Sequence, residues 1–246
     1  MPHIFITGSA DGLGHTAAQT LLTAGHQVVV HVRDRQRLAA VKNLLDQGAK
    51  AIVGDLSDLK QTIDVAEQVN RLGRMDAVIH NAGVYSQGSQ ILPVNVIAPY
   101  VLTALITKPH RLIYLSSGMH FSGRARLNGL NETGRHTAGS YSDSKLFVTT
   151  LMAAIARLWP DVISSAVDPG WVATKMGGAN APDDLRLGHV TQAWLATSQE
   201  AEAQVTGGYW HHQLRLEPHA AVNDIAFQTE LLDVLEHATG VALPKL

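Results

Sequence analysis

The feature that most constrains this chain is its alternation of short apolar runs with segments of helical periodicity. HIFIT (3–7), HQVVVHV (26–32), KAIVGD (50–55), DAVIH (76–80), RLIYLSS (111–117) and DVISSAV (161–167) are rich in Val, Ile and Leu and too short for helices. Helix-patterned segments separate them: one running to Ala24, then 35–47, 58–72, 92–105 and 140–159. Pro99 falls within 92–105, where it must kink the helix or sit where no N–H is needed. The strand segments mostly lack apolar–polar alternation, as strands covered on both faces should. Strand–helix–strand repetition implies parallel βαβ units. The expected fold is α/β: a doubly wound parallel sheet of about seven strands with helices on both faces, residues 1–246 forming one domain. After Val167 the pattern thins to a helix over 182–197, a last strand over 207–212 and a helix over 225–238.

Charge and composition narrow the function. Lys and Arg number 19 against 21 Asp and Glu, a net charge of −2, so the basic excess of a nucleic-acid binder is missing. The chain has no cysteine, which excludes disulfides, thiolate metal sites and a cysteine nucleophile, and fits a reducing cytoplasm. No apolar stretch reaches spanning length without polar interruption, and Met1 stands two residues before the first strand. The expectation is a cytoplasmic protein with no membrane anchor. The 13 histidines include no H-E-x-x-H pattern, and no metal site is expected.

Where strand ends meet helices, the residues turn polar or small. TGSADGLG leaves the first strand and enters the first helix. Its Gly8, Gly12 and Gly14 permit a tight turn and close backbone approach, with Ser9 and Leu13 between them, so a pyrophosphate can sit at the helix N-terminus. An acidic residue ending the second strand would bind ribose hydroxyls and select NAD. That place falls at Val32, and the following Arg33 can meet a 2′-phosphate. Arg35 and Arg37 stand nearby, and Asp11 in the glycine loop counts the other way. NADP is the expected cofactor, with NAD as the alternative. Asp55 and Leu56 follow the third strand, Asn81, Ala82 and Gly83 the fourth, Ser117 ends the fifth, and Pro169 and Gly170 follow the sixth. All lie at the carboxyl edge, where open parallel sheets bind ligands.

YSDSK supplies the chemistry. Tyr141 and Lys145 stand four apart at the head of a helical segment, so phenol and ammonium share one face. A free phenol has a pKa of about 10, and a neighbouring cation would lower it into the range of general acid–base work. Trp171 and Met176 precede GGANAP, a stretch suited to closing over a substrate.

This set resembles the short-chain dehydrogenase/reductase family in its compact single-domain, Rossmann-fold form. The matching pieces run in the family's order over residues 1–175: TGSADGLG, the DL at 55–56, NAG at 81–83, Asn95, LSS at 115–117, YSDSK and PGWVAT. NVIAPYVLT, LSSGMH and GGYW further resemble its retinol-dehydrogenase-like branch. The resemblance implies a nicotinamide-dependent oxidoreductase interconverting a small-molecule carbonyl and alcohol. It implies that Tyr141 exchanges the proton, Ser117 (with Ser116 the alternative) bonds the substrate oxygen, and Lys145 lowers the tyrosine pKa and binds ribose. It further implies that Asn95 anchors a water, and that Pro169, Gly170, Val172 and Thr174 meet the carboxamide end of the cofactor. His80 stands where Asn is commoner before NAG. Family members pair the helices at 92–105 and 140–159, so a homodimer or homotetramer is expected. The competing readings are a cofactor-binding regulator without turnover and an epimerase or dehydratase, for which the C-terminal segment is short.

Overall fold

The computed structural model describes residues 1–85, 88–127, 130 and 140–244. Eight strands form one sheet in the order β3-β2-β1-β4-β5-β6-β7-β8. They are β1 (His3–Ile6), β2 (Gln27–Val32), β3 (Lys50–Val53), β4 (Ala77–His80), β5 (Arg111–Leu115), β6 (Ile163–Asp168), β7 (Gly208–His211) and β8 (Leu214–Leu216). β1 to β7 pair in parallel, and the order reverses between β1 and β4, which opens a crevice at their carboxyl ends.

Side chains alternate between the two faces along each strand. Phe5 and Val29 join one core with α3 (Leu59–Arg71), α4 (Ala98–Leu105), α5 (Tyr141–Leu158) and α7 (Ile225–Thr239). Ile4, Ile6, Val28 and Val30 join the other, under α1 (Gly12–Thr23), α2 (Lys42–Asp46) and α6 (Val190–Thr197). Leu151 of α5 is fully buried, and truncating such a residue to Ala costs about 2–5 kcal/mol. Helix starts follow their capping residues. The Asp58 carboxylate accepts the Gln61 N–H at 2.9 Å, and the Ser140 hydroxyl accepts that of Asp143 at 3.0 Å. α1 has no side-chain cap, so its first-turn N–H groups stay free toward the crevice.

The structure departs from the sequence pattern in four places. An eighth strand joins antiparallel to β7 through His212 and Gln213, both at positive φ (47° and 62°); this two-residue turn matches the twist of a hairpin. The helix expected over 182–197 begins at Val190, because Asp183 bridges back to Val172 and closes 172–183 into a loop. The 35–47 segment is 3-10 helix over Arg35–Val41 before α2. Within 92–105, Pro93–Ile97 forms a π turn, with the Ala98 N–H reaching back five residues to the Pro93 carbonyl. Pro99 brings no N–H to the carbonyl four residues before it, which favours the wider turn. That stretch, Gly88–Leu105, is the one described helical segment apolar and long enough to cross a membrane, and 78% of it is buried inside the protein. α4 is covered by α3, and α5 by α7, so the apolar faces expected to pair across a dimer axis are used within the chain.

Candidate active site

The crevice at the switch point holds a cavity of about 480 Å³. Gly8, Leu13, Arg33, Asp55, Leu56, Asn81, Ala82, Gly83, Tyr141, Lys145, Pro169 and Thr174 line it, as do Ala10, His31, Arg37, Tyr85 and Lys175. A cavity of about 450 Å³ lies at the opposite sheet edge beside Arg111 and Gln204. There the buried Arg111 guanidinium already donates to the Leu195 and Ser198 carbonyls at 2.7 Å, finishing α6. Open parallel sheets bind at the carboxyl edge, and the first cavity is the site.

The glycine loop is braced from below. Gly8 adopts φ 66° and Gly12 φ 57°, conformations glycine takes without strain. A Cβ on Gly14 would stand 2.3 Å from Asn81 Nδ2 and 2.5 Å from the Gly8 carbonyl oxygen. Asn81 Nδ2 donates to the Thr7 and Gly8 carbonyls at 2.9 and 3.1 Å, and the Ala82 N–H donates to the Thr7 hydroxyl at 3.0 Å. Asn81 thus acts as a strut as well as a cleft residue. His31, fully buried in β2, accepts the Gly8 N–H at Nδ1 (3.1 Å), and its Nε2 lies 2.8 Å from the Gly54 carbonyl. These contacts require the neutral tautomer with its proton on Nε2, and burial draws the His31 pKa down to about 4. His80 is likewise buried against Tyr114 and pulled down to about 3. Ser9 turns away from the cavity and donates to the Ile6 carbonyl at 2.7 Å; Val172 is buried.

At the adenosine end, Val32 is buried and Arg33 is half exposed beside Asp34. Asp11 pairs with Lys175 at 2.8 Å and with Arg37 at 3.7 Å. Its charge is therefore answered, and Lys175 staples the segment after β6 to the glycine loop. Sequence reasoning missed this cation, since nothing in the sequence tied position 175 to position 11.

At the other end, Lys145 is buried and donates to the Leu115 carbonyl at 2.7 Å, leaving two N–H donors for the cavity. Its Nζ lies 5.4 Å from the centre of the Tyr141 ring, which meets Tyr85 edge-on at 4.8 Å. Asn95 sits in the π turn. Its Oδ1 accepts the Val84 N–H at 2.8 Å, and Nδ2 donates to the Val84 carbonyl and the Ser144 hydroxyl at 3.0 Å. Both its N–H donors are used, and one Oδ1 lone pair remains for a water. Ser116 turns inward to Thr149 at 2.6 Å, whereas the Ser117 hydroxyl accepts the Met119 N–H at 3.2 Å and stands near enough to Tyr141 to pull its pKa down. His120 is buried with Nδ1 at 2.8 Å from the Ser117 carbonyl, while its Nε2 accepts the His219 N–H at 3.0 Å.

One electrostatic expectation is corrected. Tyr141 does not titrate below the ordinary tyrosine value. Burial pushes it up to about 12, outweighing the opposing pull of Ser117. The same burial draws Lys145 down to about 8. For Lys145, desolvation of the charged form outweighs the opposing pull of the Asp168 carboxylate.

Glycine-loop amides at a free helix end, glycines that a Cβ would jam, and a buried lysine beside a tyrosine together fit a dinucleotide. This is the fold and strand-end site of a short-chain dehydrogenase. Residues 2–109 match the family model described as short chain dehydrogenase. An uncharacterized oxidoreductase of Emericella nidulans, AN7799, is 35% identical, the match covering 99% of both chains. An uncharacterized protein from Mycobacterium paratuberculosis superposes with a TM-score of 0.83 at 22% identity, covering 99% of this chain and 95% of that one. A blue fluorescent protein from a metagenomic library, in complex with NADPH, superposes at 0.70 and 23% identity over 85% and 95%. The chain belongs to the short-chain dehydrogenase family and is an oxidoreductase of that family. Its match to the retinol-dehydrogenase-like branch is weak.

Proposed function

We propose that the protein is an NADP-preferring carbonyl reductase working through Ser117, Tyr141, Lys145 and Asn95. The observation that carries this reading is the Tyr141 phenol beside the buried Lys145 on the wall of the cofactor crevice, with Nζ 5.4 Å from the ring centre. NADP is favoured over NAD by Arg33 and Arg37 on the cleft wall and by the missing carboxylate at the end of β2. The structural neighbour that holds NADPH is consistent with this preference.

A nicotinamide dinucleotide bound here would supply or accept the hydride. Leu13 and the free α1 amides would hold its pyrophosphate, with Gly8 leaving room for its close approach, and the two remaining Lys145 N–H groups would hold its ribose hydroxyls. Ser117 would bond the substrate carbonyl oxygen. Tyr141 stays protonated at neutral pH and delivers its proton to that oxygen as negative charge develops on it. Lys145, still mostly charged at neutral pH with its pKa of about 8, would favour the resulting phenolate. The remaining Oδ1 lone pair of Asn95 would hold the water through which the proton is replaced.

Measuring NADPH oxidation across a panel of aldehydes and ketones tests the activity. Tyr141→Phe keeps the ring and removes the proton, so turnover should fall at least about a hundredfold while NADPH affinity survives. Near wild-type kcat in that variant would end the proposal. A cofactor-binding regulator would turn over nothing in the panel.

A further inference from the structure

The sheet edge that carries Ser117 also carries a carboxylate to which the proposed mechanism assigns no task. Asp168 ends β6, directly after Val167, which pairs with Leu115, the residue whose carbonyl holds Lys145. Its side chain is 14% exposed. Oδ1 is occupied, accepting the Gly170 N–H at 3.0 Å. Oδ2 lies 3.1 Å from where a Cβ on Gly118 would stand, so it packs against the residue following Ser117. Its partners are long: the Tyr209 hydroxyl at 3.4 Å and His211 Nδ1 at 3.6 Å. Among the described residues no Lys or Arg lies within 4 Å of it. A carboxylate oxygen has room for two good donors, and here its single hydrogen bond, from the Tyr209 hydroxyl, is long.

We propose that Asp168 binds substrate, its Oδ2 accepting a hydrogen bond from a hydroxyl or N–H carried close to the reacting carbonyl. This rests on the carbonyl-reductase reading. Its Oδ2 packs beside Gly118, the neighbour of Ser117, and the strand it ends pairs with Leu115, whose carbonyl holds Lys145; this places its charge at the reacting end of the sheet edge. The substrate class is therefore a hydroxy- or amino-carbonyl compound. Ketones bearing a carboxylate next to the carbonyl are disfavoured, because two carboxylates would face each other at short range.

The test uses three matched ketones with NADPH: 2-hydroxyacetophenone, 2-methoxyacetophenone and phenylglyoxylate. The wild type should reduce the hydroxy compound with kcat/KM at least about tenfold above the methoxy compound, and phenylglyoxylate most slowly, since a site built to receive a donor rejects the analogue lacking it. Asp168→Asn keeps an oxygen for the Gly170 N–H and turns the other position into an NH₂ donor. In that variant the hydroxy preference should collapse or invert, and phenylglyoxylate reduction should rise. Reduction of the hydroxy and methoxy ketones at equal kcat/KM by the wild type overturns this inference alone, even should the variant fail to fold. An unchanged ratio in a folded Asp168→Asn protein does the same. Failure to reduce any aldehyde or ketone overturns the reductase reading and this inference with it.

Discussion

Gly14 sits in the first turn of α1, where helix propensity favours replacing it. Ala is better than Gly inside a helix by about 1 kcal/mol. The structure reverses that sign. An added methyl would stand 2.3 Å from Asn81 Nδ2 and 2.5 Å from the Gly8 carbonyl, and the second obstacle is backbone. Gly14→Ala must therefore expel the Asn81 strut or shift the glycine loop. Expelling Asn81 loses its two hydrogen bonds to the Thr7 and Gly8 carbonyls, at about 1 kcal/mol each. Overpacking adds about 1–3 kcal/mol. The net loss of about 2–4 kcal/mol, after the propensity gain, corresponds to a Tm lower by roughly 4–16 °C for a chain of this size. Because the displaced groups form the pyrophosphate cradle, NADPH affinity should fall at least about tenfold. Thermal melting and fluorescence titration measure the two effects. An Asn81→Ala background supplies the internal check: with the side-chain obstacle gone, Gly14→Ala should cost distinctly less than in the wild type. A Gly14→Ala protein with unchanged Tm and unchanged NADPH Kd would refute the interlock.

Val32→Asp with Arg33→Ala adds a carboxylate and removes a cation at the end of β2, and should shift kcat/KM toward NADH; a wild type that already prefers NADH would sink the cofactor proposal. His31 and His80 are held neutral, at about 4 and about 3, against about 6.5 unfolded. The unfolded chain therefore takes up protons first, and stability falls as pH drops from about 6.5 toward 4; Tm should decline measurably between pH 7 and pH 5, and a flat profile would contradict the burial argument. With α3 and α7 covering α4 and α5, light scattering at micromolar protein should give a monomeric mass, and a dimer would mean that another surface pairs.

The first seven strands and their parallel sense were legible because each element announces itself locally. Val-rich runs give strands, and TGSADGLG, NAG and PGWVAT mark their carboxyl ends. Tyr141 and Lys145 were legible for the same reason, as a pair four residues apart on one helix. What stayed hidden depends on packing between distant segments. β8 was unreadable because its turn, His212-Gln213, lacks the Asn and Gly that advertise positive φ. The π turn around Asn95 depends on two prolines whose effect on register the helical pattern does not reveal. Asp168 lies just past the strand read at 161–167 and carried no signal of its own; the Gly118 contact shows which way it faces. Tyr141's raised pKa follows from burial by residues such as Tyr85, 56 positions away in the chain.

The contact between Asp11 and Lys175 bears on how fast the enzyme can recycle. Both partners are well exposed, at 46% and 83% of their side-chain surface, so water and salt reach the bond from every side. At cellular ionic strength charges are screened over about 8 Å, and an exposed pair of this kind adds little to equilibrium stability. Under the reductase reading, its weakness suits a strap that opens for cofactor exchange. A tightly buried pair across the same gap would hold spent cofactor in place and make its departure the slow step. If strap opening limits turnover, kcat should climb as salt is added while the Michaelis constant for the cofactor climbs with it, and Lys175→Met should reproduce both changes at low salt and abolish any further response to added salt.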